Sequence, residues 1–559
     1  MPQLKTPGVY IKETSTLAPS VAQISTAIPV FIGYTEKTNR KENALPVAVK
    51  VNSMLEYSKE FGGAFVGETK VTIKGESIDE IESPDVAYHM VPFLEMYFNN
   101  GGGTCYIISL GKYKTGSKAD FVKADFEDGL EALSKEDEPT IINLTDALQL
   151  NPIDYHDLAQ KALKQCADLK DRFCILDVLN SDAEGKELST DDAVSGFRNS
   201  IGSNNLMYGA AYYPYLKTTL THPFDDDSVV ITGYGDSIKE HINNGKNGLG
   251  VYYKGTDEAK VTIATGSSSD ISVDLTAKTI SITAKSDATA KELEALWLTK
   301  TSTEQGDFEL KALGRGNKVV LAVTDESLVL ATDASSAGKE KVTLGELKYD
   351  QSELYNNIRA QLSLQRMTLP PSAAVTGIYA NTDRNIGVWK APANVGVASV
   401  IEPVRKLNSF EQGNLNIDST AGKSVNVIRS FAGRGNIVWG ARTLLGNDNE
   451  WRYINVRRLF SVVEESIQKS THFAVFEPNT PLTWLKVRAM IESYLEDLWK
   501  AGGLVGTTRE QAYFVNVGLG TTMTSQDILE GKMNVDVGLA VSRPAEFITI
   551  NFTHLLQEA

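Results

Sequence analysis

The end of the chain carries the clearest alternation of apolar and polar residues. Every second residue is apolar between 533 and 542, and the alternation resumes after Arg543-Pro544, across residues 546–554. This period of two predicts two strands, each with one buried face. Two isolated strands are marginal in water, and an exposed β-rich edge recruits other chains. Either the pair is covered within its own fold, or it pairs with other subunits. We favour pairing with other subunits, through Phe547, Ile548, Ile550 and Phe552.

The first 25 residues are predicted to form an extended arm. Pro2, Pro7 and Pro19 exclude a long helix. A short strand follows the Pro7-Gly8 turn. The arm pairs either within its own subunit or with the strands of a neighbour, as in β-augmentation. The residues of this predicted strand are Val9, Tyr10, Ile11 and Lys12.

Strands and helices alternate between residues 26 and 221, with short links between them. This order predicts a mostly parallel sheet covered by helices. Between about 224 and 347 the pattern changes to short Thr-, Ser- and Val-rich strands, interrupted by one helix at 290–299. Such a pattern is typical of a β-sandwich-like module. Because the helical pattern resumes at 349–364, we interpret the module as an insertion.

From residue 370 the sequence is unusually rich in Gly, Asn and Arg, and two amphipathic helices follow. The first, 450–469, is predicted to bury one apolar face and to turn Arg452, Arg458 and Glu465 outward. The second, 481–501, ends at Gly502-Gly503, the expected position for a helix C-terminus. Its predicted buried residues are Leu485, Ile491, Leu495 and Leu498.

Composition narrows the class of protein. The chain has 559 residues, 42 % of them hydrophobic and 23 % charged, and a formal net charge of −16. The acidic balance argues against a nucleic-acid coat or a binder of anionic membranes. No apolar signal core or run of 18 apolar residues is present, which predicts folding in the cytoplasm without membrane insertion. The odd number of cysteines predicts buried thiols in a reducing compartment: Cys105, Cys166 and Cys174.

Motifs for catalysis or cofactor binding are weak. Residues 421–424 (AGKS) are similar to the end of a P-loop, but Ile417 stands where its first glycine is required. Gly433-Arg-Gly435 lacks the third glycine of a dinucleotide turn. HExxH and EF-hand motifs are absent, so we expect no catalytic residue, cofactor or metal. The six histidines are scattered, and no GxSxG elbow accompanies them: His89, His156, His222, His241, His472 and His554.

Seven longer motifs resemble those of contractile tail sheath proteins, the sheaths of contractile-tailed phages and related injection systems. They fall in the family's order and cover roughly residues 1–220 and 350–559. The module at about 224–347 is outside the common core and is similar to the variable outer domains of sheaths. The motifs are TPGVYIKE (6–13), ISTAIPVFIG (24–33), NGGGTCYII (100–108), PPSAAVTGIYANTDRNIGVWKAPAN (370–394), EWRYINVRRLF (450–460), FEPNTPLTWLKVRAMIESYLEDLW (476–499) and SRPAEFITINF (542–552).

This resemblance implies a multidomain α/β and α+β fold. Its parts are a subtilisin-like α/β domain with an inserted β-rich domain, and a C-terminal α+β core completed by strands from neighbouring subunits. We therefore expect an arm at 1–25, an α/β domain at 26–223 plus 348–400 and an outer domain at 224–347. The C-terminal core would follow at 401–542 and a terminal arm at 543–559. Pro19, Arg543 and Pro544 are candidate hinges.

The resemblance also implies the function and partners. The chain would be a non-enzymatic subunit of a helical sheath of hexameric rings, and would contract around an inner tube protein. Baseplate and terminator or cap proteins would complete the particle, which would assemble in the cytoplasm and then be released. The inserted module favours an extracellular injection system over a phage or prophage tail. Candidate tube contacts are residues expected to point outward from the two helices: Arg452, Asn455 and Arg458 on the first, and Lys486, Glu492 and Lys500 on the second.

A function of a different class, an α/β hydrolase-like enzyme with an accessory β domain, is kept as the alternative. The two classes differ in assembly: a sheath protein forms long hollow tubes, and a hydrolase forms discrete monomers or dimers.

Overall fold

The computed structural model describes residues 21–42, 44–74, 77–82, 86–182, 186–232, 239–242, 248–253, 258–313, 316, 319–330 and 342–550. The chain forms two compact units. The first comprises Met1–Ala64, Tyr88–Thr219 and Thr368–Ala559, and the second Phe65–Ala87 and Leu220–Met367. Both units are therefore discontinuous in sequence.

The described residues contain helices and strands throughout both units. The strands are β1 Pro29–Thr35, β2 Ala48–Val51, β3 Thr69–Lys74, β4 Ser77–Glu82, β5 Cys105–Lys112, β6 Ile141–Asn143, β7 Phe173–Asp177, β8 Gly209–Tyr213, β9 Leu216–Thr221, β10 Val229–Thr232, β11 Lys239–Ile242, β12 Leu249–Tyr253, β13 Ala259–Gly266, β14 Asp270–Asp274, β15 Thr279–Lys285, β16 Phe308–Ala312, β17 Val323–Leu330, β18 Val342–Thr343, β19 Arg366–Leu369, β20 Val395–Gly396, β21 Val400–Pro403, β22 Val425–Phe431, β23 Gly435–Val438, β24 Tyr513–Asn516 and β25 Asp536–Leu539. The helices are α1 Met54–Phe61, α2 Met90–Asn99, α3 Lys123–Leu133, α4 Pro152–Leu169, α5 Thr190–Ser200, α6 Ala290–Trp297, α7 Ser302–Gln305, α8 Leu344–Asp350, α9 Ser352–Leu362, α10 Ser372–Asn385, α11 Ser409–Asn416, α12 Ile454–Ser470, α13 Pro481–Lys500, α14 Arg509–Ala512 and α15 Ser525–Leu529.

A nine-stranded sheet in the order β2-β5-β1-β6-β7-β8-β22-β23-β20 organises the first unit. Its six consecutive strands from β5 to β22 are parallel, and the pairs β2–β5, β22–β23 and β20–β23 are antiparallel. All seven residues of β1 are buried, as expected for a strand covered on both faces. The parallel sheet predicted from the alternation is thus present, in a mixed α/β fold. It also takes in β22 and β23, from the region assigned to the C-terminal core.

Helix α10 forms in the Gly- and Asn-rich stretch for which the sequence predicted no helix. Ten of its residues are buried. It packs against α2 at Gly377, where an added Cβ would lie 2.4 Å from the Tyr97 carbonyl oxygen. Only glycine permits this approach of the two helices. The small residues therefore serve close packing.

The C-terminal part of the first unit is built from α12, α13 and the two-stranded sheet β24–β25. Its core joins residues of all four elements, including Leu459, Ile491, Leu495 and Val515. Leu485, predicted to be buried in α13, is instead 63 % exposed. None of the helices in the described ranges is long and apolar enough to cross a membrane.

The second unit contains two sheets with separate cores. One has the order β18-β10-β3-β4 and packs with α8 and α9. The other has the order β14-β15-β13-β17-β11-β12-β16, because β17 pairs with both β13 and β11. The predicted insertion spanned 224–347, whereas this unit runs from Leu220 to Met367 and also includes Phe65–Ala87. Residues 348–367, which were assigned to the α/β domain, therefore belong to it as well. The physical reason for the inclusion of Phe65–Ala87 is the parallel pairing of β3 with β10, in which Thr69 lies opposite Val229.

Candidate intersubunit interface and arm anchors

The C-terminal segment 547–550 presents an exposed row of apolar side chains. Phe547, Ile548 and Ile550 are 71 %, 78 % and 69 % exposed. All of residues 542–550 are described, and none of them belongs to a strand. Among the described residues, their apolar side chains therefore find no core to cover. Phe552 and the predicted N-terminal strand Val9 to Lys12 lie outside the described residues.

The first of the two predicted terminal strands pairs within its own chain. β25 is antiparallel to β24, with Val537 opposite Val515. Alternate side chains from 533 to 541 pack against the C-terminal core. The interpretation that both terminal strands are left for other subunits is therefore wrong for β25, because its apolar face has a core to cover. Among the described residues β24 and β25 form a sheet of two strands, so each has one edge without a strand partner there.

Glu546 fixes the chain directly before the exposed row. Its carboxylate accepts hydrogen bonds from Arg442 (Nη2–Oε2 2.7 Å), Asn416 Nδ2 (2.6 Å) and the Tyr453 hydroxyl (3.0 Å). Burial would raise the pKa of Glu546, but the bonds from Arg442 and Asn416 outweigh it and hold the pKa below its usual range. Arg442 is itself buried, and its backbone N–H donates to Asn426 of β22. Sequence analysis missed this clamp, because Glu546 looks like an ordinary polar position of a strand.

The candidate hinge at Arg543-Pro544 lies between bonded neighbours. Arg543 Nη1 donates to the Asn449 carbonyl oxygen at 2.9 Å. One residue earlier, the Ser542 carbonyl oxygen accepts a bond from Asn455 Nδ2 at 3.1 Å. In this conformation the segment is held on both sides, and its role as a hinge stays a prediction. Pro19 lies outside the described residues.

The prediction that Arg458 and Asn455 point outward from α12 is wrong. Arg458 has a 3 % exposed side chain and forms a double ion pair with Asp383, at 2.6 and 3.0 Å. Asn455 is 1 % exposed and donates to the Trp389 and Ser542 carbonyl oxygens. Glu465 is also buried and pairs with Lys469 at 2.8 Å. The helix is enclosed on its polar face too, and groups distant in sequence bind the Arg458 guanidinium and the Asn455 amide nitrogen.

Known proteins resemble this chain in sequence. Residues 446–554 match the family described as the phage tail sheath C-terminal domain. The tail sheath protein of Enterobacteria phage T4 is 23 % identical over 209 residues, which are 37 % of this chain and 29 % of the T4 protein. The match thus spans less than a third of the length of the T4 protein.

Solved structures resemble the chain over its whole length. The sheath of an extracellular contractile injection system, PVC, in its contracted state is 25 % identical, with a TM-score of 0.56. The match covers 99 % of this chain and 98 % of the PVC chain. The resemblance to contractile tail sheath proteins is confirmed. The contracted helical sheath of the anti-feeding prophage (AFP) is 26 % identical, with a TM-score of 0.53 and 99 % coverage of both chains. These similar proteins are structural sheath proteins, not enzymes.

The other candidate tube contacts of this sheath-like chain are accessible to different degrees. Lys486 and Lys500 are exposed, and Lys500 pairs with Glu496 at 2.8 Å. Glu492 is half-buried between Arg488 (2.8 Å) and Arg509 (3.0 Å). Arg452 is half-buried as well, and its Nε donates to the Asp448 carbonyl oxygen at 2.8 Å. Contact of these four residues with a tube stays a prediction.

A side chain fills the place where an open α/β sheet usually binds a ligand, the crevice beside the switch in strand order. Here the switch is at β1, between β5 and β6. The buried Asp146 carboxylate accepts bonds there from the backbone N–H groups of Tyr34 (2.7 Å) and His89 (2.6 Å). An added Cβ at Gly33 would lie 2.5 Å from Asp146 Oδ2. In the sheath-like chain this crevice is therefore part of the core.

In the P-loop-like stretch 421–424, a side chain of the protein likewise binds the groups that a ligand would need. The Asp418 carboxylate accepts bonds from the backbone N–H groups of Thr420, Ala421 and Lys423, at 3.1 to 3.2 Å. These are the kind of groups that a phosphate would need, and the Lys423 ammonium donates to the Arg198 carbonyl oxygen. Gly433 lies in the turn between β22 and β23, and Gly435 is the first residue of β23; both have a φ of 75°. The three cysteines are free and buried, as predicted.

Proposed function

We propose that this chain is the structural and mechanical subunit of a contractile sheath. Many copies would assemble as a helical mesh of hexameric rings around an inner tube, with a baseplate at one end and a terminator or cap at the other. The observation that carries the proposal is the likeness to the PVC sheath over 99 % of this chain. We infer the subtilisin-like arrangement of the α/β part from the same resemblance.

Strand exchange between subunits would link the mesh. The exposed row at Phe547, Ile548 and Ile550 would pair with the sheet of a neighbour, and the N-terminal strand at Val9 to Lys12 would do the same. The open edges of β24 and β25 are the acceptors that we infer. Each added strand brings several backbone hydrogen bonds, each contributing about 1 kcal/mol net. Burial of each large apolar side chain adds about 1.5–3 kcal/mol. Such links hold while weaker contacts between subunits are exchanged.

Contraction would release energy stored in a metastable extended lattice and would not consume ATP. The contracted state of the PVC and AFP sheaths and the occupied P-loop-like stretch support this proposal. Electron microscopy of purified particles tests it. Particles should contract on a physical trigger without nucleotide, and a requirement for added ATP would overturn the mechanism.

The particle that best fits the observations is an extracellular contractile injection system. The full-length likeness is to the sheaths of such systems, whereas the T4 phage relative matches over 37 % of this chain. A phage or prophage tail sheath is the second candidate. Subunits would assemble in the cytoplasm and leave it within the finished particle.

Negative-stain microscopy of the overexpressed full chain tests the proposed function. Long hollow tubes are the expected result. Discrete monomers or dimers at every concentration would overturn the proposal and would favour the hydrolase-like alternative.

A further inference from the structure

One polar stripe of α12 contacts the segments from which the two terminal arms begin. We call residues 21–26 the N-terminal root and residues 542–546 the C-terminal root. Its members, Asn455, Arg458 and Ser466, are spaced i, i+3 and i+11, which places them on the same side of a helix. All three side chains are buried, and each bonds a backbone group near one end of the chain. The stripe therefore brings the segment at 24–26 and the segment at 542 to a single helix.

The N-terminal root, residues 21–26, is bonded to Ser466 and Arg458 of this stripe. The Ile24 backbone N–H donates to Ser466 Oγ at 3.3 Å, and Arg458 Nη2 donates to the Thr26 carbonyl oxygen at 2.8 Å. Val21 and Ile24 also pack against the C-terminal core. The chain is thus fixed on α12 from its first described residues.

The C-terminal root is bound near the other end of the helix. Asn455 holds the Ser542 carbonyl oxygen, and Tyr453, which directly precedes α12, donates its hydroxyl to Glu546. Arg442 completes the clamp on the same carboxylate with two nitrogens, Nε and Nη2. After Glu546 the side chains at 547–550 are exposed. The fixed part of this arm therefore ends at the clamp.

We propose that α12 and the Glu546 clamp are positioning elements, which set the direction in which each arm leaves the subunit. The proposal rests on the proposed function, in which the arms link neighbouring copies. An arm that leaves in a fixed direction loses less conformational freedom when it docks, so assembly needs a lower protein concentration. Both arms are held by side chains of the same helix, α12. Tension from either neighbour consequently reaches one rigid element, which Arg458 and Asp383 tie to α10.

The test uses the full chain with Glu546→Ala and the milder Glu546→Gln. Glu530→Gln is the matched control, because Glu530 is an exposed residue of an ion pair in the same region. A pair of nitroxide labels, on cysteines introduced at the exposed positions Thr549 and Ser195, reports the arm direction in the unassembled protein. The three native cysteines are buried, so labelling is selective.

In the parent chain and the Glu530→Gln control we expect a narrow distribution of label distances. Glu546→Ala should broaden it and raise the protein concentration needed for tube formation about tenfold. It should also lower the melting temperature, because it leaves the Arg442 charge buried without its carboxylate partner. Glu546→Gln should give a smaller change in the same direction. A narrow distribution in Glu546→Ala overturns the positioning role, whether or not its tubes are lost. Failure of the parent chain to form tubes would instead overturn the proposed function.

Ser466→Ala tests the other root, since it removes the acceptor of the Ile24 N–H. A label at the exposed Gln23, paired with the label at Ser195, should then report a broader distribution. The label at Thr549 should be unaffected. An unchanged distribution at Gln23 would remove the N-terminal arm from the proposal.

Discussion

The Arg458 guanidinium and the Asp383 carboxylate form a buried ion pair, with Nη2 2.6 Å from Oδ2 and side chains that are 3 % and 2 % exposed. Arg458 also lies over the Tyr379 ring, 4.9 Å from its centroid. Tyr379 shares a hydrogen bond of 2.8 Å with Tyr212 of β8. This chain of contacts joins α12, through α10, to the nine-stranded sheet. The first unit thus has a continuous polar connection from its sheet to its C-terminal helices.

Asp383→Ala is predicted to destabilise the first unit strongly. It would leave the Arg458 charge buried without its partner, which costs about 3–5 kcal/mol. Urea unfolding measures the change. Arg488→Ala is the control, because it breaks the half-exposed ion pair with Glu492. It should lower the free energy of unfolding by no more than about 1 kcal/mol. Equal costs for the two variants would show that the buried pair does not hold α12 to α10.

Asp177→Asn is predicted to change the pH dependence of stability. Burial raises the pKa of Asp177 to about 7, although its carboxylate accepts the Ser372 backbone N–H at 2.9 Å. Between about pH 4 and 7 the folded chain then holds a proton that the unfolded chain has lost. The free energy of unfolding therefore falls as the pH rises through this window, by about 1 kcal/mol per pH unit. Asparagine removes this contribution.

Unfolding of the Asp177→Asn variant and the parent chain, compared from pH 4 to 8, checks this prediction. The stability of the variant relative to the parent should increase with pH and level off above about 7. A difference that is constant over the whole range would contradict the raised pKa.

The seven-stranded sheet of the second unit is predicted to be dispensable for folding and assembly. It lies between β10 and β18, whose residues Ile231 and Val342 are partners across an antiparallel ladder. Replacing residues 232–341 by an Asn-Gly turn leaves two residues between these partners and should therefore join the strands as a hairpin. The four-stranded sheet and its separate core would be kept. Thermal unfolding and electron microscopy check the result: a folded protein that forms no tubes would contradict the prediction.

Charge reversal on α13 is predicted to weaken binding of the inner tube. Lys486 and Lys500 are the exposed cations among the candidate contacts, and reversing both should reduce co-sedimentation with the tube protein by about tenfold. Lys164→Glu on α4 is the control, since its side chain is 72 % exposed but belongs to no candidate contact. Equal binding by the double variant and the control would exclude this surface of α13.

The sequence predicted elements better than it predicted their environment. The alternation of strands and helices between residues 26 and 221 correctly indicated the parallel strands of the nine-stranded sheet. Helix α10 was missed because its many small residues give no amphipathic pattern. Arg458 was misplaced because its partners, Asp383 and the Thr26 carbonyl, are 75 and 432 residues away in the chain. A periodicity identifies an apolar face, but it carries no information on polar groups satisfied by distant segments.

The candidate intersubunit site was likewise predicted only in part. The row Phe547, Ile548 and Ile550 was predicted from its alternation, and its exposure agrees with a strand left for another subunit. The clamp on Glu546 could not be predicted, because Arg442 and Asn416 come together with it only in the folded chain. Their spacing, 104 residues between Arg442 and Glu546, corresponds to no local pattern.

Deletion of the last ten residues, 550–559, tests most directly whether neighbouring subunits complete each other through their terminal strands. Electron microscopy of the truncated and full-length proteins at the same concentration gives the measurement, and the melting temperature confirms folding. We expect the full chain to form ordered hollow tubes, and the truncated chain to stay folded, soluble and unassembled. Regular tubes built by the truncated chain would contradict the account.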